Sequence, residues 1–370
     1  MTAYVLPPVN LAGITAKTSR FGITDAMLIS SSVPEAPPAA YNAGTPYAEG
    51  EEVSTGTVGG VISVWGSKDD GNTGNTPEEG VWWRFLGTTY AEYDTEVPYA
   101  EGAIVIVAAT HTVYESLVGS NLGAAVSDTT KWLRRGATNR WAMFDMLAAA
   151  GTVDAVSPLT VVLAPGRISA VGMTGLDGND VSGSMTADGE PDSEVVYPER
   201  TQAIDGTVIA SWDDYFFAPF RLQDLVFWND LPAYTDGRLT ITLTSESGPV
   251  TLTKLIVGTA TDMGRTQRAP EVRRSNFSVL DRAETSELVD ISKRRFLRQV
   301  SQTTAVPKAQ IRTVNQRLDD VLYSPCLWIG LDNLEDDYAY LVALLGLLTD
   351  ARVSPSNQQL SDVSLEIEEV

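Results

Sequence analysis

The feature that most constrains the fold of this chain is an internal repeat in its first third. The string Pro46–Gly50 (PYAEG) recurs without change as Pro98–Gly102. From Trp65 and Tyr114 onward, the matching aromatic, asparagine, glycine and tryptophan positions keep one offset of 49 residues. A spacing that stays constant over several positions indicates a repeated structural unit, here two copies of a module of about fifty residues.

Each module is predicted to contain two or three short strands separated by Gly, Asn and Asp turns, as at residues 69–75. A core of this size is marginal, so buried aromatic rings must supply much of its stability. Two interpretations of the rings stay open: they form the module cores, or they are exposed and stack on sugars. The candidate carbohydrate-binding residues are Trp65, Trp82, Trp83, Tyr114 and Trp132.

Short runs rich in β-branched residues, separated by Gly, Pro, Asp and Asn, predict a β-sandwich between about residues 158 and 290. Residues 238–244 alternate strictly between polar and apolar side chains, which is typical of a strand with one buried face. We expect a jelly-roll-like sandwich, a fold that by itself defines no function.

The last third of the chain changes character. Apolar residues at helical spacing predict an amphipathic helix over residues 308–323, followed by a buried strand at 326–330. The almost wholly apolar stretch 338–348 predicts either a strand pair broken at Gly346 or a buried helix, and residues 363–368 alternate as a final strand. These elements form a small C-terminal α+β domain.

The predicted fold class is therefore mainly β: two small tandem β-modules, a jelly-roll-like β-sandwich and a small C-terminal α+β domain. The expected segments are an N-terminal arm at 1–40, module 1 at 41–90, module 2 at 91–137, the sandwich at 138–294 and the C-terminal domain at 295–370.

The charge balance is strongly acidic, with 26 basic and 48 acidic residues. A net charge of -22 repels nucleic acid and anionic membranes, so neither is an expected partner. The N-terminus lacks a basic start before an apolar run, and nowhere do eighteen apolar residues follow one another, so neither a signal peptide nor membrane insertion is expected.

Basic residues nevertheless concentrate between positions 265 and 298. Such a stripe is suited to docking on an acidic neighbouring subunit, although an ordinary solvated surface is the simpler interpretation. The candidate assembly residues are Arg273, Arg274, Arg294 and Arg295.

Catalytic chemistry is not indicated. His111 is the single histidine and is interpreted as a strand or turn residue, and the single cysteine, Cys326, as a small buried hydrophobe. No phosphate-binding glycine motif occurs, and no catalytic residue, metal or cofactor is predicted. Solvation explains the paired carboxylates, and a tight turn explains a possible calcium-binding string. These residues are Glu78, Glu79, Asp213 and Asp214, and the string Asp177–Asp180.

The modules resemble small chitin-binding-type carbohydrate-binding modules. The resemblance is carried by the pattern Tyr-x-x-Gly-x-x-Val beginning at Tyr47, followed by an aromatic residue, Asn-x-Gly and a terminal tryptophan. It is looser in module 2, where no Asn-Thr-Pro follows Gly123. The resemblance implies that the modules contact polysaccharide.

Directly after module 2, the string Thr138–Asp145 (TNRWAMFD) is similar to a family of tailed-bacteriophage structural proteins. Other matching strings are Thr24–Leu28, Val196–Thr201, Trp212–Pro219, Asp230–Pro232 and Leu255–Gly264. The prolines at 34, 37 and 38 depart from the family by lengthening the lead into module 1.

This resemblance implies a non-enzymatic virion protein of the tail tip, baseplate or collar, assembled in the host cytoplasm. Its expected partners are other tail proteins, further copies of itself around the tail axis, and host surface polysaccharide. The alternatives are a head-tail adaptor, in which the repeats serve only as packing surfaces, and a virion-associated glycan hydrolase with accessory modules.

Overall fold

The computed structural model of the 370-residue chain consists mostly of strands, with three short α-helices in the part that it describes, so the predicted mainly-β fold class is confirmed. For residues 214 and 215 and for two strands, 279–282 and 288–292, only the backbone is described. The described residues are 1–11, 22–146, 151–187, 194–204, 211–217, 223–246, 248–267, 270–275, 279–282, 288–292, 297–332, 334 and 338–370.

Each module is one three-stranded antiparallel sheet. Two strands precede the modules: β1 (Thr2–Leu6) and β2 (Leu28–Ser31). Module 1 contains β3 (Glu52–Gly56), β4 (Val61–Ser67) and β5 (Trp83–Tyr90). Module 2 contains β6 (Ile104–Val107), β7 (Thr112–Ser116) and β8 (Trp132–Ala137). The middle strand pairs with both neighbours in each sheet, so the sequence repeat corresponds to a repeated topology.

The sandwich follows a 3-10 helix at Asn139–Phe144. Its elements are β9 (Thr152–Asp154), β10 (Leu159–Leu163), β11 (Ala170–Asp177), β12 (Asp180–Thr186), β13 (Val195–Ala203), α1 (Trp212–Phe217), β14 (Leu225–Trp228), β15 (Arg238–Thr244) and β16 (Val250–Gly258). One sheet has the order β13-β12-β15-β10-β2 and the other β14-β11-β16-β9. The strict alternation of residues 238–244 gives β15 one buried face, as predicted, and the two sheets enclose the largest apolar core.

The C-terminal region contains β17 (Thr261–Thr266), β18 (Glu271–Ser275), β19 (Val279–Arg282), β20 (Leu288–Ser292), β21 (Leu297–Pro307), α2 (Ile311–Val321), β22 (Pro325–Ile329), α3 (Ala339–Val342), β23 (Ala343–Pro355) and β24 (Leu360–Glu369). A seven-stranded antiparallel sheet has the order β17-β1-β22-β23-β24-β21-β18, and β17 also pairs with β21. The β17–β21 pairing closes the sheet on itself. Its strands come from three of the predicted segments, 1–40, 138–294 and 295–370.

Two predictions for the C-terminal elements had different outcomes. The amphipathic helix is confirmed as α2, which places Val314, Leu318 and Val321 in the core of the closed sheet. Neither form predicted for residues 338–348 is observed. The stretch contains the four-residue helix α3 and then the first half of β23, which passes through Gly346 without a break.

The sandwich and the closed sheet pack directly against each other. Leu6, Leu327 and Ile329 of the closed sheet form one apolar cluster with Ala170 and Ile256 of the sandwich. The four-stranded sheet of the sandwich is therefore covered on both faces, and its second face joins the two parts of the molecule.

Candidate functional site: the two modules and their junction with the sandwich

The repeated aromatic residues of module 1 form its core. Tyr41, Tyr47 and Trp83 make a three-ring cluster, in which the Tyr47 and Trp83 ring centroids are 5.4 Å apart and the two rings are inclined at 65°. The indole Nε1 of Trp83 donates to the backbone oxygen of Asn75 at 2.9 Å. Trp83 is therefore a core residue of the module, because its ring packs against two tyrosine rings and its one polar side-chain atom is hydrogen-bonded within the module.

Module 2 repeats the same core. Tyr93, Tyr99 and Trp132 form the matching cluster, with the Tyr99 and Trp132 centroids also 5.4 Å apart. Trp132 Nε1 donates to the backbone oxygen of Ala124 at 3.0 Å. The equivalent geometry shows that the shared aromatic residues preserve the fold of the modules.

The shared asparagine is structural as well. In module 1 the Asn72 side chain donates to Ser67 Oγ at 3.1 Å and to the backbone oxygen of Trp82 at 3.2 Å. In module 2 the Asn121 side chain donates to Ser116 Oγ and to the backbone oxygen of Lys131, at 3.0 and 3.4 Å. The Asn-x-Gly part of the pattern thus fixes the turn that precedes the core tryptophan.

The five candidate carbohydrate-binding residues lie in different environments. Trp83 and Trp132 are only 1% and 2% exposed, so neither has a free ring face for a sugar. Trp65 and Tyr114 are half-buried, and Trp65 is held by a bond from its Nε1 to Thr55 and by an edge contact with Phe85. Trp82 is the most accessible of the five, with 40% of its surface exposed.

The exposed corner beside the core tryptophan differs between the modules. In module 1 it carries Val81 and Trp82, which are both exposed apolar side chains. At the same offset of 49 residues, module 2 carries Thr130 and Lys131. The modules therefore share their interiors and differ on the surface where an aromatic platform would be needed.

Both modules meet the sandwich at Glu35, in the segment that leads into module 1. Its Oε1 accepts hydrogen bonds from His111 Nδ1 at 2.6 Å and from Thr138 Oγ1 at 2.9 Å, and its Oε2 accepts one from Trp141 Nε1 at 3.3 Å. The hydroxyl of Thr89, on the last strand of module 1, donates to the backbone oxygen of Glu35. One residue thus contacts both modules and the first turn of the sandwich.

His111 is the centre of the junction on the side of module 2. It lies in the turn before β7 with a φ of 50°, and its ring is buried and stacked 4.1 Å from Trp141. Its second ring nitrogen, Nε2, lies 2.9 Å from Asp25 Oδ1. From sequence His111 was predicted to be a strand or turn residue, and the structure places it in a turn; its two carboxylate partners were not predicted.

The string Thr138–Asp145 forms the rest of this junction. Asn139 holds β9 through two bonds, accepting from the Val153 amide at 2.9 Å and donating to the Val153 oxygen at 2.7 Å. Met143 and Phe144 are fully buried in the sandwich core. This string therefore joins module 2 to the sandwich.

A cavity of about 280 Å³ lies beside the junction, between β5 of module 1, module 2 and the turn after β9. Asp154 lines it, and burial raises the pKa of this carboxyl group. Ser32 donates to Asp154 Oδ2 at 2.6 Å. Because the Asp154 carboxyl group is hydrogen-bonded within the protein, we infer a structural role for it.

The remaining candidate residues are dispersed. Arg273 and Arg274 are exposed on β18, while Arg294 and Arg295 lie outside the described residues. Glu78, Glu79 and Asp213 are exposed, and the Asp214 side chain lies outside the described part. A backbone hydrogen bond from Phe85, helped by Lys68, lowers the pKa of Glu79.

The structure also places the possible calcium-binding string and the single cysteine, and both have structural roles. Residues 177–180 form the tight turn between β11 and β12, as expected, and the Asn179 amide donates to the Thr244 oxygen at 2.7 Å. Cys326 is buried in the closed sheet, and burial raises the pKa of its thiol to about 12, so the interpretation as a buried hydrophobe is confirmed.

Across the described residues, no group of three or more His, Cys, Asp or Glu side chains is placed to hold a metal ion. In the same part of the chain, no helix is both long and apolar enough to cross a membrane. The fold and the junction define a multidomain, mainly-β protein with two tandem modules fixed on a sandwich. The chain matches no family model, and no curated protein and no solved structure matches it at a significant level.

Proposed function

We propose that this chain is a non-enzymatic structural subunit of a bacteriophage tail, located at the tail tip, baseplate or collar. The observation that carries the proposal is the role of the string Thr138–Asp145, on which the resemblance to tail proteins rests. This string and Glu35 hold module 2 against the sandwich. A rigid joint of this kind suits a protein that keeps binding surfaces in fixed positions within a larger particle.

In this proposal the subunit assembles in the host cytoplasm with other tail proteins and with further copies of itself around the tail axis. The uneven charge of the chain supports the assembly. Residues 265–298 contain nine basic and five acidic residues, while the rest of the chain contains 17 basic and 43 acidic residues. Opposite charges on different parts of one subunit steer copies together and disfavour wrong partners.

The modules are proposed to contact host surface polysaccharide, with Trp82 of module 1 as the contact residue. An exposed indole ring offers a flat apolar face on which the apolar face of a sugar ring stacks. Lys68 and Glu79 lie beside it, joined at 3.1 Å, and provide polar groups at the same corner. A single ring binds weakly, and several copies in one particle raise the overall affinity through avidity.

A binding experiment on the full chain tests the polysaccharide contact. We expect lipopolysaccharide or capsule from the host to quench tryptophan fluorescence of the wild type, and Trp82→Ala to remove the effect. Lys131→Ala, at the equivalent corner of module 2, is the matched control and should bind like wild type. Equal binding by wild type and Trp82→Ala would exclude this corner as the site.

Burial of Trp83 and Trp132 favours one alternative, a head-tail adaptor in which the repeats are only packing surfaces. In that case Trp82→Ala leaves adsorption of the virus to its host unchanged. Turnover of lipopolysaccharide or capsule by the purified chain would instead support a glycan hydrolase and contradict the structural proposal.

A further inference from the structure

The helix α1 presents an unusual set of exposed aromatic side chains. Trp212, Phe216 and Phe217 are 81%, 67% and 77% exposed, and the adjacent Asp213 is exposed as well. Trp212 and Phe216 are four residues apart and so lie on one side of the helix. We call these four residues the aromatic turn.

A cluster of this kind differs from most protein surface, on which large apolar side chains are exposed singly. Burying one such side chain contributes about 1.5–3 kcal/mol, and single exposed apolar residues are common, but three large rings on six residues form a patch. The Phe216 and Phe217 rings lie 6.3 Å apart, so they present one continuous apolar area. Asp213 adds a negative charge to its border.

The strand β18 provides a surface of the opposite kind. It is the last strand in the order of the seven-stranded sheet, where it pairs with β21, and Arg273 and Arg274 are exposed on it. Beyond it come β19 and β20, a two-stranded hairpin that forms a sheet of its own. We call β18 the arginine strand.

The chemistry of the two surfaces is complementary. A guanidinium group stacks on aromatic faces and pairs with carboxylates, and the aromatic turn offers both. We propose that the aromatic turn of one copy of this chain receives the arginine strand of a second copy. This inference rests on the proposed assembly of the subunit and identifies the surfaces that carry it.

The two surfaces belong to different parts of the subunit, α1 to the sandwich and β18 to the closed sheet. The contact is therefore heterologous: each copy gives its strand to one neighbour and its turn to another. A heterologous contact generates a ring when the rotation between copies closes. This matches a subunit arranged around a tail axis.

The experiment uses the full chain with two charge-reversal variants, Asp213→Arg in the turn and Arg273→Glu in the strand. Wild type is expected to form oligomers in sedimentation velocity runs at increasing concentration, and each variant alone to self-associate at least about tenfold more weakly. A mixture of the two is expected to recover assembly in oligomers that alternate the variants, because every turn of one variant then meets a strand of opposite charge on the other. Arg84→Glu, on module 1, is the control and should assemble like wild type.

Each other result overturns the inference in a recognisable way. Variants that assemble like wild type would place the interface elsewhere and leave the proposed tail location standing. A mixture that associates as weakly as each variant alone would show that the turn and the strand do not meet each other. Lower melting temperatures without any change in mass would show that turn and strand support the fold of one chain. A wild type that stays monomeric at every concentration would remove the contact between copies, while labelling of tail particles would still decide the tail location independently.

Discussion

Glu35 contacts both modules and the sandwich, and its carboxylate is nearly buried, with 12% of the side chain exposed. Replacing it by alanine leaves His111, Thr138 and Trp141 without their acceptor. We expect Glu35→Ala to lower the free energy of unfolding by about 2–4 kcal/mol, since buried donors are left unsatisfied. Urea denaturation measures the loss. The exposed Glu101→Ala is the control, and an equal loss in both variants would contradict the role of Glu35.

The neighbouring residues Trp82 and Trp83 have opposite environments, since Trp82 is exposed and Trp83 is buried in the core of module 1. We expect Trp83→Ala to cost about 3–5 kcal/mol, because it empties the centre of the three-ring cluster of module 1. Trp82→Ala is expected to change stability by less than about 0.5 kcal/mol. Thermal unfolding followed by tryptophan fluorescence compares them. A large loss of stability in Trp82→Ala would mean that this ring belongs to the core.

The buried side chain of Lys254 makes the stability of the fold depend on pH. Its amine donates to the backbone oxygen of Asp145, and burial lowers its pKa to about 8. Between pH 8 and about 10.5 the unfolded chain holds a proton that the folded chain has released, so stability from this group rises with pH.

We therefore expect wild type to gain roughly 3 kcal/mol relative to Lys254→Met between pH 8 and 10.5, measured by denaturation at each pH. Tyrosines such as Tyr99, whose pKa is raised by burial, contribute equally to both proteins and cancel in the difference. A constant difference across this pH range would show that Lys254 keeps its ordinary pKa.

At the scale of elements, the contact between β11 and β22 depends on a glycine. A side chain at Gly172 would place its Cβ only 2.2 Å from Leu327 Cδ2. We expect Gly172→Val to lower stability by about 1–3 kcal/mol, because overpacking forces the sandwich and the closed sheet apart. Gly119→Ala is the control, since nothing lies within 4 Å of its Cβ position. Equal melting temperatures for the two variants would contradict a tight interface.

The elements that could be predicted from sequence are those with one buried face. β15 and α2 each show their period because one side is solvated and the other packed. The stretch 338–348 gave no such signal, since Leu344 packs in the core of the closed sheet while Ala343 and Leu345 pack on the sandwich. Apolar residues on both faces remove the alternation that distinguishes a strand from a helix.

The site was less predictable than the fold. The repeat identified the important aromatic residues of the modules, but sequence gives no measure of exposure for adjacent tryptophans such as Trp82 and Trp83. Glu35 carried no signal at all, because its partners His111 and Trp141 are 76 and 106 residues away along the chain. Only the folded chain brings them together.

For the whole molecule, the closed sheet is the unit that unites distant parts of the sequence. The N-terminal strand β1 lies between β17 and β22, so residues from the first and last parts of the chain share one sheet. The sandwich packs on this sheet, and the junction at Glu35 holds the modules on the sandwich. A chain folded this way holds the modules, the aromatic turn and the arginine strand on one connected scaffold.

The most direct test of the proposed role is electron microscopy of virus particles labelled with an antibody against this chain. The virus is the one whose genome encodes the chain. We expect label on the tail, in several copies at one level along its axis, and label at the distal end would add support for host contact through module 1. Intact particles that carry no label on their tails, while the antibody binds the purified chain, would contradict a structural role in the tail.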